Sequence, residues 1–176
     1  MAEIDFFRNK FEEAAERLLN ITKNPNSDIT NDALTLLVFL QENGKNPDPG
    51  IADFAKASFF IHQRKLSEAV GILASIVTKD PNTKIGDEIF MLEGDALTAM
   101  QRYGDAIGIY EKLISQYSES TLLDRAQMKI GYLYQAGIRD TLKAIAAYQT
   151  LLEKFPNSIY QSEARKRIRE LRGDTI

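Results

Sequence analysis

The sequence predicts an all-α fold of helical hairpins that follow one another along the chain. Apolar residues recur at i, i+3, i+4 and i+7, as in AIGIYEKLISQY, and no segment shows sustained strand-type alternation. Similar segments also occur three times, at steps of 37 and 38 residues. The aligned positions hold a small, a large and a closing residue: Ala69, Ala106 and Ala144; Leu73, Tyr110 and Tyr148; Pro81, Ser118 and Pro156.

About nine helices follow from these patterns and from the residues that interrupt them. Short polar side chains, which can accept from the free amides of a first helical turn, precede four periodic runs at Asp28, Ser120, Asp140 and Ser158. Stops are indicated by DP (80–81), FP (155–156) and NGKNPDPG (43–50), because a residue before proline disfavours helical geometry. We expect helices at 3–22, 28–43, 49–64, 66–79, 85–101, 103–117, 121–137, 140–155 and 158–171.

The first helices of the three units align as well. A small residue recurs at Ala57, Gly94 and Gly131, and a large one follows at Phe60, Leu97 and Tyr134. We expect the small residue to let the two helices of a hairpin approach closely, while the large residue fills the space beside it. A single hairpin cannot bury both of its faces, so about three stacked copies are needed for a stable fold.

Composition excludes several classes of site. The 176-residue chain has no cysteine and a net charge of −3, so it offers no thiolate chemistry and lacks the basic surplus of a general nucleic-acid binder. His62 is the only histidine, which rules out a multi-histidine metal site. No phosphate-binding loop is present, and the carboxylates of GDEIFMLEGD lack the spacing of a calcium loop. We therefore expect no enzyme activity, cofactor or metal.

The aligned residues resemble the tetratricopeptide repeat, a helical hairpin of about 34 residues. The segments GYLYQ and KAIAAYQTLLEKFP match it at Gly131, Tyr134, Ala144, Tyr148 and Pro156, and the two preceding units match at fewer positions. The inter-repeat turns are longer than the family's, and one more residue lies in the turn AGIRDT. Longer turns ending in FPNS are similar to those of bacterial cell-envelope proteins such as the outer-membrane assembly lipoprotein and the Tol-Pal accessory protein.

A narrower resemblance covers nearly the whole chain. The segments DITNDALTLLVFLQEN, FAKASFFIHQRKLSEAVGIL and FPNSIYQSEARKRIRELRGD look like the C-terminal end of long tetratricopeptide proteins of the Bacteroidetes. It implies a right-handed α-α superhelix, a fragment of a larger protein, in which FEEAAERLLNI (11–21) is the second helix of an unfinished repeat. We expect one domain, 1–176, with a partial or divergent repeat at 1–48, repeats at 49–83, 84–120 and 121–157, and a capping helix at 158–172.

The resemblance also implies where a partner binds, because ligands of such domains lie along the first helices of successive hairpins. The equivalent positions here are Phe54, Met91 and Met128, then Ser58, Asp95 and Tyr132, with His62 and Arg125 nearby. Phe, Met and Met form a soft apolar stripe that would suit irregular partners. Apolar residues at helical spacing are equally consistent with core packing, and His62 is more simply explained as a solvated or packed side chain.

Two further sets of charged and polar residues bear on the choice of partner. Repeats that clamp a C-terminal carboxylate use Lys and Asn at positions that here hold Phe54, Ser58, Leu92, Asp95, Arg125 and Lys129, so the clamp is absent. The run RKRIRELR is interpreted mainly as the polar outer face of the capping helix, since a solenoid end must stay soluble. An anionic partner is the alternative for that run.

The sequence thus predicts a non-enzymatic protein–protein interaction scaffold that presents a concave groove to a protein or peptide partner. Resemblance alone favours the bacterial periplasm or cell envelope. One alternative is a structural end-cap or self-association module, whose groove would be filled by its own N-terminal helix. A helical-repeat RNA binder is disfavoured, because Asp95 and Glu88 oppose Arg125 on the expected surface and the chain is acidic.

Overall fold

A computed structural model describes residues 1–23, 29–43 and 48–174, with only the backbone at 29–32. Within these ranges the chain is all-helical, as predicted, and residue contacts divide it into two compact units, Met1–Ile85 and Gly86–Ile176. The first unit contains α1 (Ala2–Phe7), α2 (Phe11–Thr22), α3 (Ile29–Asn43), α4 (Ile51–His62) and α5 (Leu66–Lys79). The second contains α6 (Gly86–Ala99), α7 (Tyr103–Gln116), α8 (Leu123–Tyr132), a π-helical segment (Leu133–Ile138), α9 (Thr141–Lys154) and α10 (Gln161–Arg172).

The residues that align in the sequence form the core of each hairpin. Solvent does not reach the aligned small and large residues of the second helices, Ala69, Ala106, Ala144, Leu73, Tyr110 and Tyr148. Gly94 and Gly131 lie directly against the rings of Tyr110 and Tyr148, which leave no room for a β-carbon. The predicted close approach of the paired helices is therefore confirmed for α6–α7 and α8–α9.

The same turn joins the two helices of four hairpins. Each turn contains one non-glycine residue with a φ close to +60°, at Asn9, Arg64, Gln101 and Arg139. The next amide then donates to a carbonyl five residues back, as from Lys65 to Phe60 and from Arg102 to Leu97. This is the left-handed ending that closes many helices. In the last hairpin the amide of Asp140 bonds six residues back, to Tyr134, so the π-helical segment absorbs the extra residue of AGIRDT.

The prediction of a single helix at 3–22 is wrong, because the chain turns back between α1 and α2. The left-handed residue is Asn9, and neither glycine nor proline marks the break. Ala2, Ala14 and Leu18 are buried and occupy the positions of Ala57, Ala69 and Leu73, 55 residues later. The first hairpin thus uses the same packing rule, with a first helix of six residues. The predicted start of α3 at Asp28 lies outside the described residues.

Aromatic rings and one buried carboxylate hold the first unit together. The ring of Phe39 on α3 lies 6.2 Å from that of Phe6 on α1 and 5.1 Å from that of Phe54 on α4. Before α4, Asp48 accepts from the amides of Gly50 (2.7 Å) and Lys84 (2.9 Å) and from the Thr83 hydroxyl (2.9 Å). Burial would raise the pKa of Asp48, but these hydrogen bonds outweigh it and lower the pKa.

In the second unit, α10 packs on α9 as the last helix described. Ala164 and Ile168 join Tyr148 and Leu151 in one buried cluster, and Met128 packs against its edge. Asp140 accepts from the amide of Lys143 (3.0 Å), which confirms it as the N-cap of α9. None of the helices in the described ranges is both long and apolar enough to span a bilayer.

Candidate protein-binding surface

Polar contacts connect the first helices of the second unit, α6, α8 and α10, along one face. On α6, the carboxylate of Asp95 lies 2.6 Å from Lys129 Nζ and 3.9 Å from Arg125 Nη2, both on α8. These three side chains are each between about a third and two fifths exposed, so the contacts form at the surface. Exposed ion pairs are weak, typically below about 1 kcal/mol, but they fix the positions of the side chains.

Each second helix supplies a tyrosine hydroxyl to this face. Tyr110 on α7 donates to Asp95 Oδ1 (2.5 Å), and Tyr148 on α9 donates to Gln135 Oε1 (2.7 Å). Burial raises the pKa of Tyr148 to about 12, and burial together with the Asp95 carboxylate raises the pKa of Tyr110 well above its ordinary value. Both hydroxyls therefore stay protonated and act as fixed donors from the core to the surface.

The contacts repeat from one hairpin to the next. Lys129, which pairs with Asp95, is followed 38 residues later by Arg167 on α10. Arg167 Nη1 donates to the same Gln135 oxygen at 3.3 Å. Lys129 of α8 and Arg167 of α10 thus each contact the acceptor to which the preceding tyrosine donates, so these polar groups connect consecutive hairpins within the unit.

Tyr132 is the large apolar side chain exposed on this face. Its side chain is 48% exposed, and the guanidinium of Arg167 lies 5.6 Å from its ring centroid. Arg167 Nε in turn lies 2.8 Å from a carboxylate oxygen of Glu163. The surface of the second unit that carries these contacts is called the first-helix band and comprises Asp95, Arg125, Lys129, Tyr132, Glu163 and Arg167.

In the first unit, the predicted groove residues contact the unit's own helices. Phe54 is 8% exposed and packs on Phe39, while Ser58 donates to the carbonyl of Phe54 one turn earlier (2.9 Å). His62 is exposed, and its ring lies 5.8 Å from that of Phe7 on α1. Among these three residues, only the His62 imidazole is a polar group without a hydrogen bond. It does not belong to any group of described side chains that could hold a metal ion.

In the second unit, the structure brings three of the predicted residues together and separates two. Asp95, Arg125 and Tyr132 belong to the first-helix band. Met91 is a core residue, only 5% exposed, and Met128 is half-buried against the α9–α10 cluster. The predicted apolar stripe is therefore largely packed within the protein. Partner binding by these residues stays a prediction.

Sequence reasoning missed the role of Arg167 and Gln135. Arg167 was attributed to the outer polar face of the capping helix, although its 38-residue separation from Lys129 places it at the equivalent first-helix position. Gln135 lies in the π-helical segment, where the extra residue shifts the register, so alignment alone does not predict that it meets Tyr148.

In the second unit, this arrangement defines a stack of helical hairpins whose first helices lie on a shared face. A sequence model of the tetratricopeptide repeat matches residues 89–120 and 125–158. Both matched segments lie within the second unit, which therefore contains two segments of this repeat.

A solved tetratricopeptide repeat structure has a fold similar to that of this chain. The crystal structure of a tetratricopeptide repeat protein from Parabacteroides merdae ATCC 43184 is similar to this chain, with a TM-score of 0.54 and 16% sequence identity over 98% of this chain and 71% of that one. At this identity the likeness shows the fold alone. Among curated proteins no sequence matches this chain significantly.

Proposed function

We propose that this protein is a non-enzymatic scaffold and that a protein or peptide partner binds to the first-helix band. Tetratricopeptide repeats generally mediate protein–protein interactions, and proteins of this fold are typically not enzymes. The observation that carries the proposal is Tyr132, an aromatic side chain left half-exposed among charged neighbours that are already held in place.

The chemistry of the first-helix band suits a protein interface. Tyrosine and arginine are the residues most often found at the energetic centres of interfaces. Arg167 and Lys129 are held by contacts within the unit, so a partner would lose little entropy in ordering them. Arg125 is 41% exposed, and at 3.9 Å it is too far from Asp95 for a hydrogen bond, so its guanidinium is able to donate to a carboxylate of a partner. The expected ligand is a segment that places an apolar side chain on Tyr132 and an acidic group near Arg125.

We extend the proposal to a bacterial cell-envelope assembly. Its support is the resemblance of the longer inter-repeat turns ending in FPNS to those of envelope proteins. Fractionation of a bacterium that expresses this protein tests this part, since recovery in the cytosolic fraction alone contradicts it.

A second candidate function is a structural end-cap or self-association module without a separate ligand. It is favoured by the first unit, where Phe7 of the N-terminal helix α1 lies 5.3 Å from Phe59 and 5.8 Å from His62 on α4. The N-terminal helix thus contacts one of the predicted groove positions of α4.

Affinity capture with surface variants separates the two functions. Phe54 and Met91 are poor choices for substitution because they are buried, so the test uses Tyr132→Ala and Arg125→Glu. Leu142→Ala is the matched control, since Leu142 is 81% exposed and lies outside the first-helix band. We expect an envelope extract from a Bacteroidetes bacterium to yield a partner that both variants lose and the control retains. Equal capture by Tyr132→Ala and the control, or no capture at all, favours the end-cap.

A further inference from the structure

The final helix, α10, is a first helix that no second helix covers in the described part of the chain. It repeats the features of α8 at a step of 38 residues, with matched pairs Ser120 and Ser158, Ala126 and Ala164, Ile130 and Ile168. Both serines accept from the amide two residues on, at 3.0 and 3.1 Å. The equivalence shows which face of α10 a second helix would cover.

On α8 and the π-helical segment that follows it, three residues define the face that meets the second helix of the same hairpin. Gln127 Nε2 donates to the carbonyl of Ala147 (2.9 Å), Gly131 lies against the Tyr148 ring, and the ring of Tyr134 at the end of the row lies 5.5 Å from Lys143 Nζ. The equivalent residues of α10 are arginines, and all three are exposed: Arg165, Arg169 and Arg172. Where α8 is shaped to receive α9, α10 therefore presents a row of positive charge.

This arginine row has little internal compensation. Arg165 donates to Gln161 (3.0 Å), whereas the guanidinium groups of Arg169 and Arg172 make no ion pair or hydrogen bond with any described residue. Arginine is weakly hydrated and can bind a carboxylate through two parallel hydrogen bonds. The row is thus suited to a helix that carries carboxylates at i, i+4 spacing.

The chain itself displays such a helix at its other end. On α2, Glu12, Glu16 and Leu19 are exposed and have the same 4-then-3 spacing as the three arginines. Glu12 and Glu16 form no ion pair or side-chain hydrogen bond within the described ranges. Leu19 is 46% exposed and adds an apolar contact beside them.

We propose that α10 of one copy docks on α2 of a second copy, through Arg165, Arg169 and Arg172 on Glu12 and Glu16. The contact joins two different surfaces, so α10 of each copy associates with α2 of another copy, in open chains or in closed assemblies. A contact built on exposed charges is weak and salt-sensitive, which predicts short oligomers that dissociate on dilution.

Sedimentation equilibrium of the purified chain tests the proposal without any partner, so its outcome is independent of the proposed function. Concentration-dependent association identifies a contact between copies. We expect the association constant to fall by about tenfold or more between roughly 0.1 and 1 M salt, where the Debye length shortens from about 10 to about 3 Å. Arg169→Glu/Arg172→Glu and Glu12→Arg/Glu16→Arg should each lose association by about tenfold or more.

An equimolar mixture of the two variants is the decisive arm. In the mixture, the glutamates on α10 of one variant face the arginines on α2 of the other, and the unchanged helices form the wild-type pair. The mixture should therefore associate as strongly as the wild type, to within about threefold. Lys154→Glu, an exposed charge reversal outside both rows, is the control and should leave association unchanged. Circular dichroism confirms that each variant is folded. If the arginine variant is not, Arg169→Gln/Arg172→Gln replaces it, and if the glutamate variant is not, Glu12→Gln/Glu16→Gln replaces that one; each should still lose association. A monomeric wild type, an unaffected variant, an equally impaired control or a mixture that stays dissociated overturns the proposal.

Discussion

Substitution of Gly94 by alanine tests whether the aligned glycines exist to admit the tyrosine rings. Alanine is normally the better helix residue, by about 1 kcal/mol in the free energy of unfolding. At Gly94, however, a β-carbon would lie 2.6 Å from Cζ and 2.9 Å from Cδ1 of Tyr110. That ring is fully buried and its hydroxyl is held by Asp95, so it cannot move aside without breaking other contacts.

The expected outcome is a net loss. Overpacking of a filled core costs about 1–3 kcal/mol, typically about 2, and the gain in helix propensity offsets about 1 kcal/mol of it, so we expect Gly94→Ala to lower the free energy of unfolding by about 1 kcal/mol. Gly108→Ala is the matched control, because no atom lies within 4 Å of a β-carbon at this position within α7. It should raise the free energy of unfolding by about 0.5–1 kcal/mol.

Urea unfolding followed by circular dichroism measures both variants. A Tyr110→Leu background adds a second check, since the cost of Gly94→Ala should shrink there by about 1 kcal/mol or more if the clash is with the ring. Equal stability of Gly94→Ala and Gly108→Ala, or a full cost of Gly94→Ala without the ring, would refute the packing argument.

Three other substitutions have defined outcomes. Asp48→Asn should lower the free energy of unfolding by about 2 kcal/mol in urea. The pKa of Asp48 is lower in the folded state than its ordinary value of 3.8, so ionised Asp48 stabilises the fold above pH 3.8, and this stabilisation is lost as the pH falls through the folded pKa. The free energy of unfolding should therefore fall less on acidification in Asp48→Asn than in the wild type. Arg139→Gly should raise the free energy of unfolding by about 0.5–1 kcal/mol, and with it the melting temperature, because glycine adopts the left-handed φ of 63° without strain. An unchanged melting temperature argues against strain at this position. Tyr148→Phe should cost about 1 kcal/mol by thermal unfolding, through the lost hydrogen bond to Gln135, and an unchanged stability contradicts that value.

Repeat periodicity explains why the hairpin packing was predictable. Ala106 and Tyr110 are buried because each hairpin solves the same packing problem with the same residue sizes, and this leaves a regular trace in the sequence. The turn at Asn9 left no such trace, since a left-handed non-glycine residue resembles any polar residue inside a helix. The spacing of Ala14 and Leu18 from their later equivalents was the available indication.

The candidate surface was less predictable than the core. Which side chains of α6, α8 and α10 meet depends on the angle at which consecutive hairpins stack, and the sequence of one hairpin does not encode it. Asp95 and Lys129 were correctly placed on first helices, but their 2.6 Å contact was not foreseen. The apolar stripe was ambiguous for a different reason, because Met91 has the same spacing whether it faces a core or a ligand.

The central claim is that the first-helix band of Gly86–Ile176 is a protein-binding surface. Site-specific photo-crosslinking tests it most directly, with a benzophenone amino acid in place of Tyr132 and, separately, in place of Leu142. The account predicts one dominant crosslinked partner from position 132, abolished by Arg125→Glu, and none from position 142. Identical crosslinking from both positions, or crosslinking at 132 that persists in the Arg125→Glu variant, would contradict it.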